Sequence, residues 1–271
     1  MRKQRKKEET RVLFELPTMK KVWVTQDIPY LTTPEHTLKA DFYSPRKPPL
    51  NYTLPAIILV SGDSGSGHTH VLKSNGQYTS WGRIFAAAGM VAVNFNHHST
   101  ENLTKLDEIR QEVRALIEFV HNNAAAHHID PQRIAIWTCS AGPPYAFDWV
   151  LKEQPAYVRC LIAYYGLMDL AHMIGESDPP EVVEMMKQFT PSKYLSLNPS
   201  GTIPIQVVKA GLDRSYFRKS MDTFLEEAEK LNIDLDFIDH PEATHGFELR
   251  DGSKRTGQII HQTLRFLKKN L

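Results

Sequence analysis

Five short stretches of the chain are apolar and rich in β-branched residues: AIILV (56–60), MVAVNF (90–95), RIAIW (133–137), CLIAYY (160–165) and PIQVVKA (204–210). Such runs, without the alternation of a half-exposed strand, suit strands covered on both faces. Between them the period changes. Leu103, Leu106, Ile109, Val113, Leu116, Ile117 and Val120 recur every three or four residues, which predicts an amphipathic helix over 103–120. Phe217, Met221, Phe224, Leu225, Ala228 and Leu231 repeat the pattern, and Ile260, Leu264 and Leu267 mark a terminal helix. Ahead of these, KVWV (21–24) and HTLKADFY (36–43), separated by PYLTTPE, predict an antiparallel pair at one edge. The expected fold is therefore α/β, a mostly parallel central sheet with helices on both faces and an antiparallel N-terminal edge.

Composition narrows the picture. The chain has 271 residues, 41% of them hydrophobic, which suits one large α/β domain spanning 21–271, preceded by a basic tail (1–20, opening MRKQRKK) expected to fray. Segment 166–200 is long for a simple connection between two core strands. Its Met173, Ile174, Val182, Val183, Met185, Met186 and Phe189 predict a small helical cap over a pocket, or equally plain core contact. Lysine and arginine (32) nearly balance aspartate and glutamate (31), so no strong field draws in nucleic acid or an anionic membrane. No run approaches the roughly 18 apolar residues of a membrane span. Cys139 and Cys160 make no disulfide framework, which favours a reducing cytoplasm. None of these features sets an oligomeric state.

In a sheet of this kind ligands bind beyond the carboxyl ends of the strands. After RIAIW comes Thr138-Cys139-Ser140-Ala141-Gly142, a small-residue turn, with a helix expected through YAFDWVLKE. Small neighbours suit a nucleophile on a strained strand-to-helix turn, although Thr138 stands where the G-x-S-x-G pattern has its first glycine. Pro143 and Pro144 fit the first turn of a helix, whose N–H groups lack intrahelical partners. The helix N-terminus would favour nearby negative charge. Asp213 follows the strand PIQVVKA in Gly211-Leu212-Asp213, where it either orients a histidine or caps the next helix. His245, followed by Gly246, is a candidate general base. Asp169 is the alternative acid. Serine, acid and histidine thus occur in one order, each in a loop after a strand, as the α/β-hydrolase arrangement requires.

The segments WTCSAG, KAGLD and THGF, preceded by LKADFYSP and LPAIILVSG, resemble the α/β-hydrolase superfamily, in particular its dienelactone-hydrolase-like and small carboxylesterase branch. The resemblance runs from about His36 to the terminal helix. It implies a Ser140, Asp213, His245 triad, a small-molecule ester as partner, and no cofactor. Dienelactone hydrolases proper carry cysteine at the elbow's centre, so Ser140 there points to an ordinary serine esterase, with a peptidase or amidase of the same fold as the alternative. The oxyanion hole is expected from the Ala141 N–H and a second donor in SGDSGSG (61–67), Asp63 first and Ser64 next, unless that loop is merely solvated.

The same loop spells G-D-S-G-S-G-H-T (62–69), a phosphate-binding pattern with His68 in place of lysine, which leaves a nucleotide-binding protein as a further reading. A hydrolase-fold binding protein without catalysis is another. His97 and His98 follow MVAVNF on the active edge and, with Met173, Met185 and Met186, are candidates to line the substrate pocket. His127 and His128 end a helix at the opposite edge, where they would complement its dipole. The histidine pairs show no companion ligands at metal spacing, so no metal is expected.

Overall fold

The computed structural model describes residues 10–46, 52–62, 72–99 and 105–271. Eight strands form one sheet in the order β1-β2-β4-β3-β5-β6-β7-β8: β1 (Trp23–Thr32), β2 (Thr37–Ser44), β3 (Leu54–Val60), β4 (Val91–Phe95), β5 (Ile129–Cys139), β6 (Val158–Tyr164), β7 (Ile205–Ala210) and β8 (Asp236–His240). β2 pairs antiparallel with both β1 and β4, and every other pairing is parallel. All five apolar runs are central strands. The edge hairpin is longer than expected: PYLT (29–32) belongs to β1, leaving only a short turn before β2. Pro29 and a bulge near Asp27, whose φ is +61°, are accommodated because β1 is an edge strand.

Successive side chains of a strand face opposite ways, and here each face meets helices. Ala56, Ile58 and Val60 join the core formed with Ile109, Val113 and Leu116 of α2 (Leu106–Asn122), Val150 of α3 (Phe147–Glu153) and Phe224 of α5 (Ser215–Lys230). Ile57 and Leu59 face Trp81 and Phe85 of α1 (Gly76–Ala87) and Ile259 and Ile260 of α6 (Lys254–Asn270). The expected start of the second helix at Leu103 lies outside the described residues, as does the N-terminal stretch 1–9.

Segment 166–200 folds into α4 (Pro180–Gln188) and short 3-10 turns. Met186, Phe189, Tyr194 and Leu195 enter the core on the α2 face, and Met173 and Met185 pack against it. His127 does not serve a helix dipole: its ring stacks on Phe42 at 3.9 Å, and burial lowers its pKa, disfavouring the charged form.

Beyond the carboxyl end of β3 the chain order reverses, with β4 on one side and β5 on the other. That crevice is the topological switch point, where doubly wound sheets place ligands.

Candidate active site

The turn after β5 is tighter than its sequence suggests. Thr138 and Cys139 still belong to the strand, paired with Ala163 and Tyr164 of β6. Ser140 then adopts φ +56°, a left-handed conformation that costs a residue with a Cβ on the order of 1–3 kcal/mol. Three backbone bonds hold it there: Ser140 N–H to Tyr164 O at 3.1 Å, Gly142 N–H to Cys139 O at 2.9 Å, and Leu167 N–H to Ser140 O at 2.7 Å. A Cβ on Gly142 would fall 2.8 Å from Val60 O, so the turn needs glycine there. Thr138 is tolerated in place of the pattern's first glycine because its hydroxyl donates to Ile162 O at 3.0 Å. The glycine at the closest approach is Gly62, on the facing strand end: a Cβ on it would lie 2.7 Å from Ser140 Cβ.

The two prolines are placed differently from expectation. Pro143–Tyr145 is a separate 3-10 turn, and α3 begins only at Phe147, after a non-helical Ala146. Their missing N–H groups still cost no bond, but the α-helix N-terminus lies a further turn from Ser140.

Asp213 and His245 come from two other strand ends and meet Ser140. His245 Nδ1 lies 2.6 Å from Asp213 Oδ2, and His245 Nε2 lies 2.9 Å from Ser140 Oγ. Asp213 is buried and its Oδ1 accepts the Arg214 N–H at 2.7 Å, whereas α5 has no side-chain cap. The imidazole is flanked by Phe217 and Tyr165, with ring centroids at 4.4 and 4.6 Å. Asp169 is engaged elsewhere, accepting the Ala171 N–H at 2.8 Å and the Ser192 hydroxyl at 2.5 Å. A carboxylate on Nδ1 and a serine on Nε2 fix the ring so that it can take the serine's proton while the aspartate stabilises the resulting cation.

Around Ser140 and His245 lies a cavity of about 440 Å³, lined also by Gly62, Tyr78, Tyr165, Arg214, Leu249 and Arg250. The Ala141 N–H is not used by the turn's hydrogen bonds and follows the serine directly. Asp63, Ser64 and the rest of 63–71, including His68, lie outside the described residues. Of the other pocket candidates, His97 is buried with Nε2 2.7 Å from Ser61 Oγ, and His98 Nδ1 is 2.5 Å from Glu112 Oε1. Neither histidine, nor Met173, Met185 or Met186, is among the described residues lining this cavity.

Sequence reasoning passed over Tyr165, Gln77 and Glu248. Tyr165, at φ +38°, donates to Glu248 Oε1 at 2.6 Å, and Gln77 Nε2 donates to the same oxygen at 2.9 Å. Glu248 is fully buried, and that burial raises its pKa against the opposing effect of these donors. The available signal was the pair of tyrosines ending an otherwise apolar run, a polar tip at the active edge.

The sequence profile of the BD-FAE family matches residues 40–203, more than half of the chain. The chain belongs to the BD-FAE family. This is an α/β-hydrolase family, and the eight-stranded, mostly parallel sheet is the fold expected of it. Among solved structures, a truncated carbohydrate esterase from gut microbiota is 18% identical, with a TM-score of 0.71 over 92% of this chain and 96% of that one. An esterase from the Planctomycetes species Thermogutta terrifontis, in a butyrate-bound form, is 18% identical with a TM-score of 0.72 over 93% and 95%. A bacterial heroin esterase is 18% identical with a TM-score of 0.73 over 96% and 87%. At this identity the likeness is one of fold. No curated protein sequence matches the chain.

Proposed function

We propose that this BD-FAE family protein is a serine esterase that cleaves esters of small to medium acyl groups through an acyl-enzyme. The observation that carries the reading is the unbroken hydrogen-bonded line from Asp213 through His245 to Ser140, with the serine on a strained turn that faces a cavity. Ser140 Oγ attacks the ester carbonyl while His245 Nε2 takes its proton, and Asp213 holds the ring and offsets its charge. The Ala141 N–H serves the oxyanion, and the loop holding Asp63 and Ser64 supplies the second donor. His245 returns its proton to the leaving alcohol. Water, deprotonated in turn by His245, then releases the acid.

The esterases among its structural neighbours support the reaction class. Within the superfamily the reading falls on the carboxylesterase side of the dienelactone-hydrolase-like branch. Cys139 is buried beside the elbow rather than at its centre, and burial pushes its thiol up to about 12, so it is no nucleophile near neutral pH. Among the described residues no helix is long and apolar enough to cross a membrane.

The test is Ser140→Ala. The variant should fold, lose nearly all turnover of p-nitrophenyl acetate and butyrate, and no longer react with a fluorophosphonate probe. Retained turnover would overturn the assignment, and a panel of aminoacyl amides beside the esters decides between esterase and peptidase chemistry.

A further inference from the structure

Away from the Ser140 cavity three side chains converge from three elements. His36 comes from the turn between β1 and β2, His98 from the loop after β4, and Glu112 from the second turn of α2. Each offers a ligand atom, and these atoms all lie within 4.8 Å of one another, the single such group of three or more among the described residues. The two imidazole rings meet edge to face with centroids 4.4 Å apart. Glu112 is buried, and its carboxylate receives His98 twice, the backbone N–H at 2.8 Å and Nδ1 at 2.5 Å. His36 Nδ1 lies 3.3 Å from the Thr33 hydroxyl, while its Nε2 is buried with no hydrogen-bond partner. A buried ring nitrogen left unpaired costs the free energy of a lost hydrogen bond, and here it sits beside a second imidazole and a buried carboxylate. The other nitrogen of His36 is held by the Thr33 hydroxyl, which also accepts the His36 backbone N–H at 3.2 Å, so the ring is fixed to the turn.

We propose that His36, His98 and Glu112 form a binding site for one divalent transition-metal ion of the zinc type. Two imidazoles and a carboxylate are a donor set that zinc and cobalt accept, with metal–ligand distances of about 2.0–2.2 Å and hence ligands roughly 3.3 Å apart in a tetrahedron. His98 Nδ1 and Glu112 Oε1 would open from 2.5 Å, and the three ligand atoms, already within 4.8 Å of one another, would settle toward that spacing. The ion takes the place of the proton shared by His98 Nδ1 and Glu112 Oε1, which is released to solvent. The fourth position is left to water: Glu108, whose Oε1 lies 3.9 Å from His98 Nδ1, stands outside the cluster of three. Filled in this way, the site ties the β1–β2 turn to α2 and fixes the loop after β4. The adjacent His97 bonds the His98 carbonyl through Nδ1 at 2.7 Å and Ser61 Oγ through Nε2 at 2.7 Å, so the ion would also steady the strand end that carries Gly62.

The inference is independent of the esterase reading, and its test reads binding rather than turnover. The full chain, freed of metal with a chelator and exchanged into clean buffer, is titrated with zinc chloride by calorimetry and with cobalt chloride by visible absorption. The expected result is one equivalent bound, a tetrahedral cobalt spectrum, and a rise of the melting temperature with added ion. His36→Gln and Glu112→Gln, checked for folding by circular dichroism without metal, should each bind at least about tenfold more weakly. Should Glu112→Gln not fold, His36→Gln decides the matter, since that ring is only half-buried at a turn. Failure of the wild type to bind one saturable equivalent, or wild-type affinity in His36→Gln, would overturn the proposal; the second result would mark adventitious binding at other histidines.

Discussion

The approach of Gly62 to Ser140 gives the sharpest expectation about turnover. In Gly62→Ala the new methyl would sit 2.7 Å from Ser140 Cβ, 3.0 Å from the Ala141 N and 3.0 Å from the Cys139 O. Carbon atoms in contact rest about 3.5–4.0 Å apart, so the methyl and the serine must separate by roughly 1 Å. No flexible side-chain end can yield, since every neighbour is backbone or Cβ in a turn held by three hydrogen bonds. Overpacking of this kind costs about 1–3 kcal/mol of stability. A displacement of about 1 Å at a nucleophile can cost on the order of 100-fold in kcat, about 2.7 kcal/mol of transition-state stabilisation. The assay is p-nitrophenyl butyrate hydrolysis beside urea unfolding, with Gly252→Ala as control because a Cβ there meets nothing closer than 4.0 Å. A folded Gly62→Ala protein with kcat within twofold of wild type would refute the reasoning, since the elbow would then have room that the geometry denies it.

Asp213→Asn should lower ester turnover by about 10⁴-fold, because an amide presents the wrong partner to His245 Nδ1. The melting temperature should change little by comparison, and turnover within tenfold of wild type would remove Asp213 from its proposed role. Glu248 predicts a pH effect. Burial raises its pKa above 4.5, so over the window from 4.5 up to the raised native value the folded state keeps a proton that the unfolded state has lost. Its contribution to stability therefore falls as pH rises through that window and stays low above it. Glu248→Gln should flatten this part of the profile in urea unfolding between about pH 4 and pH 8; parallel profiles for variant and wild type would show that Glu248 does not titrate there.

How much of this could be read from the chain depends on what each feature answers to. The five central strands were legible because burial on both faces forces long apolar runs, which little else in a chain of mixed composition produces. The end of β1 was not. Pro29 and the polar residues around it read as a break, yet an edge strand needs its hydrogen bonds on one side only and can bulge around a proline. The meeting of Ser140, Asp213 and His245 was anticipated from their common position after strands, because a parallel sheet brings all its carboxyl ends to one side. Chain order says which side of the sheet a residue is on, but not which neighbour its side chain takes. His97 and His98 were accordingly placed on the active edge yet turn to Ser61 and Glu112, and the methionines of 166–200 turn to the core.

The irregular elbow follows the same logic. A pattern such as G-x-S-x-G records where glycine is needed when a particular neighbour crowds the turn. Here β6 receives the Thr138 hydroxyl through Ile162 O, so the first position can carry a side chain, and the close approach falls at Gly62, just past the end of β3 and 76 residues before Thr138. The need for a small residue is met across space rather than within the turn's own sequence, which no local motif can express. If so, Thr138→Gly should gain nothing in turnover, since it removes a satisfied hydroxyl without opening the contact that constrains the serine, whereas the intolerance should appear in full at Gly62.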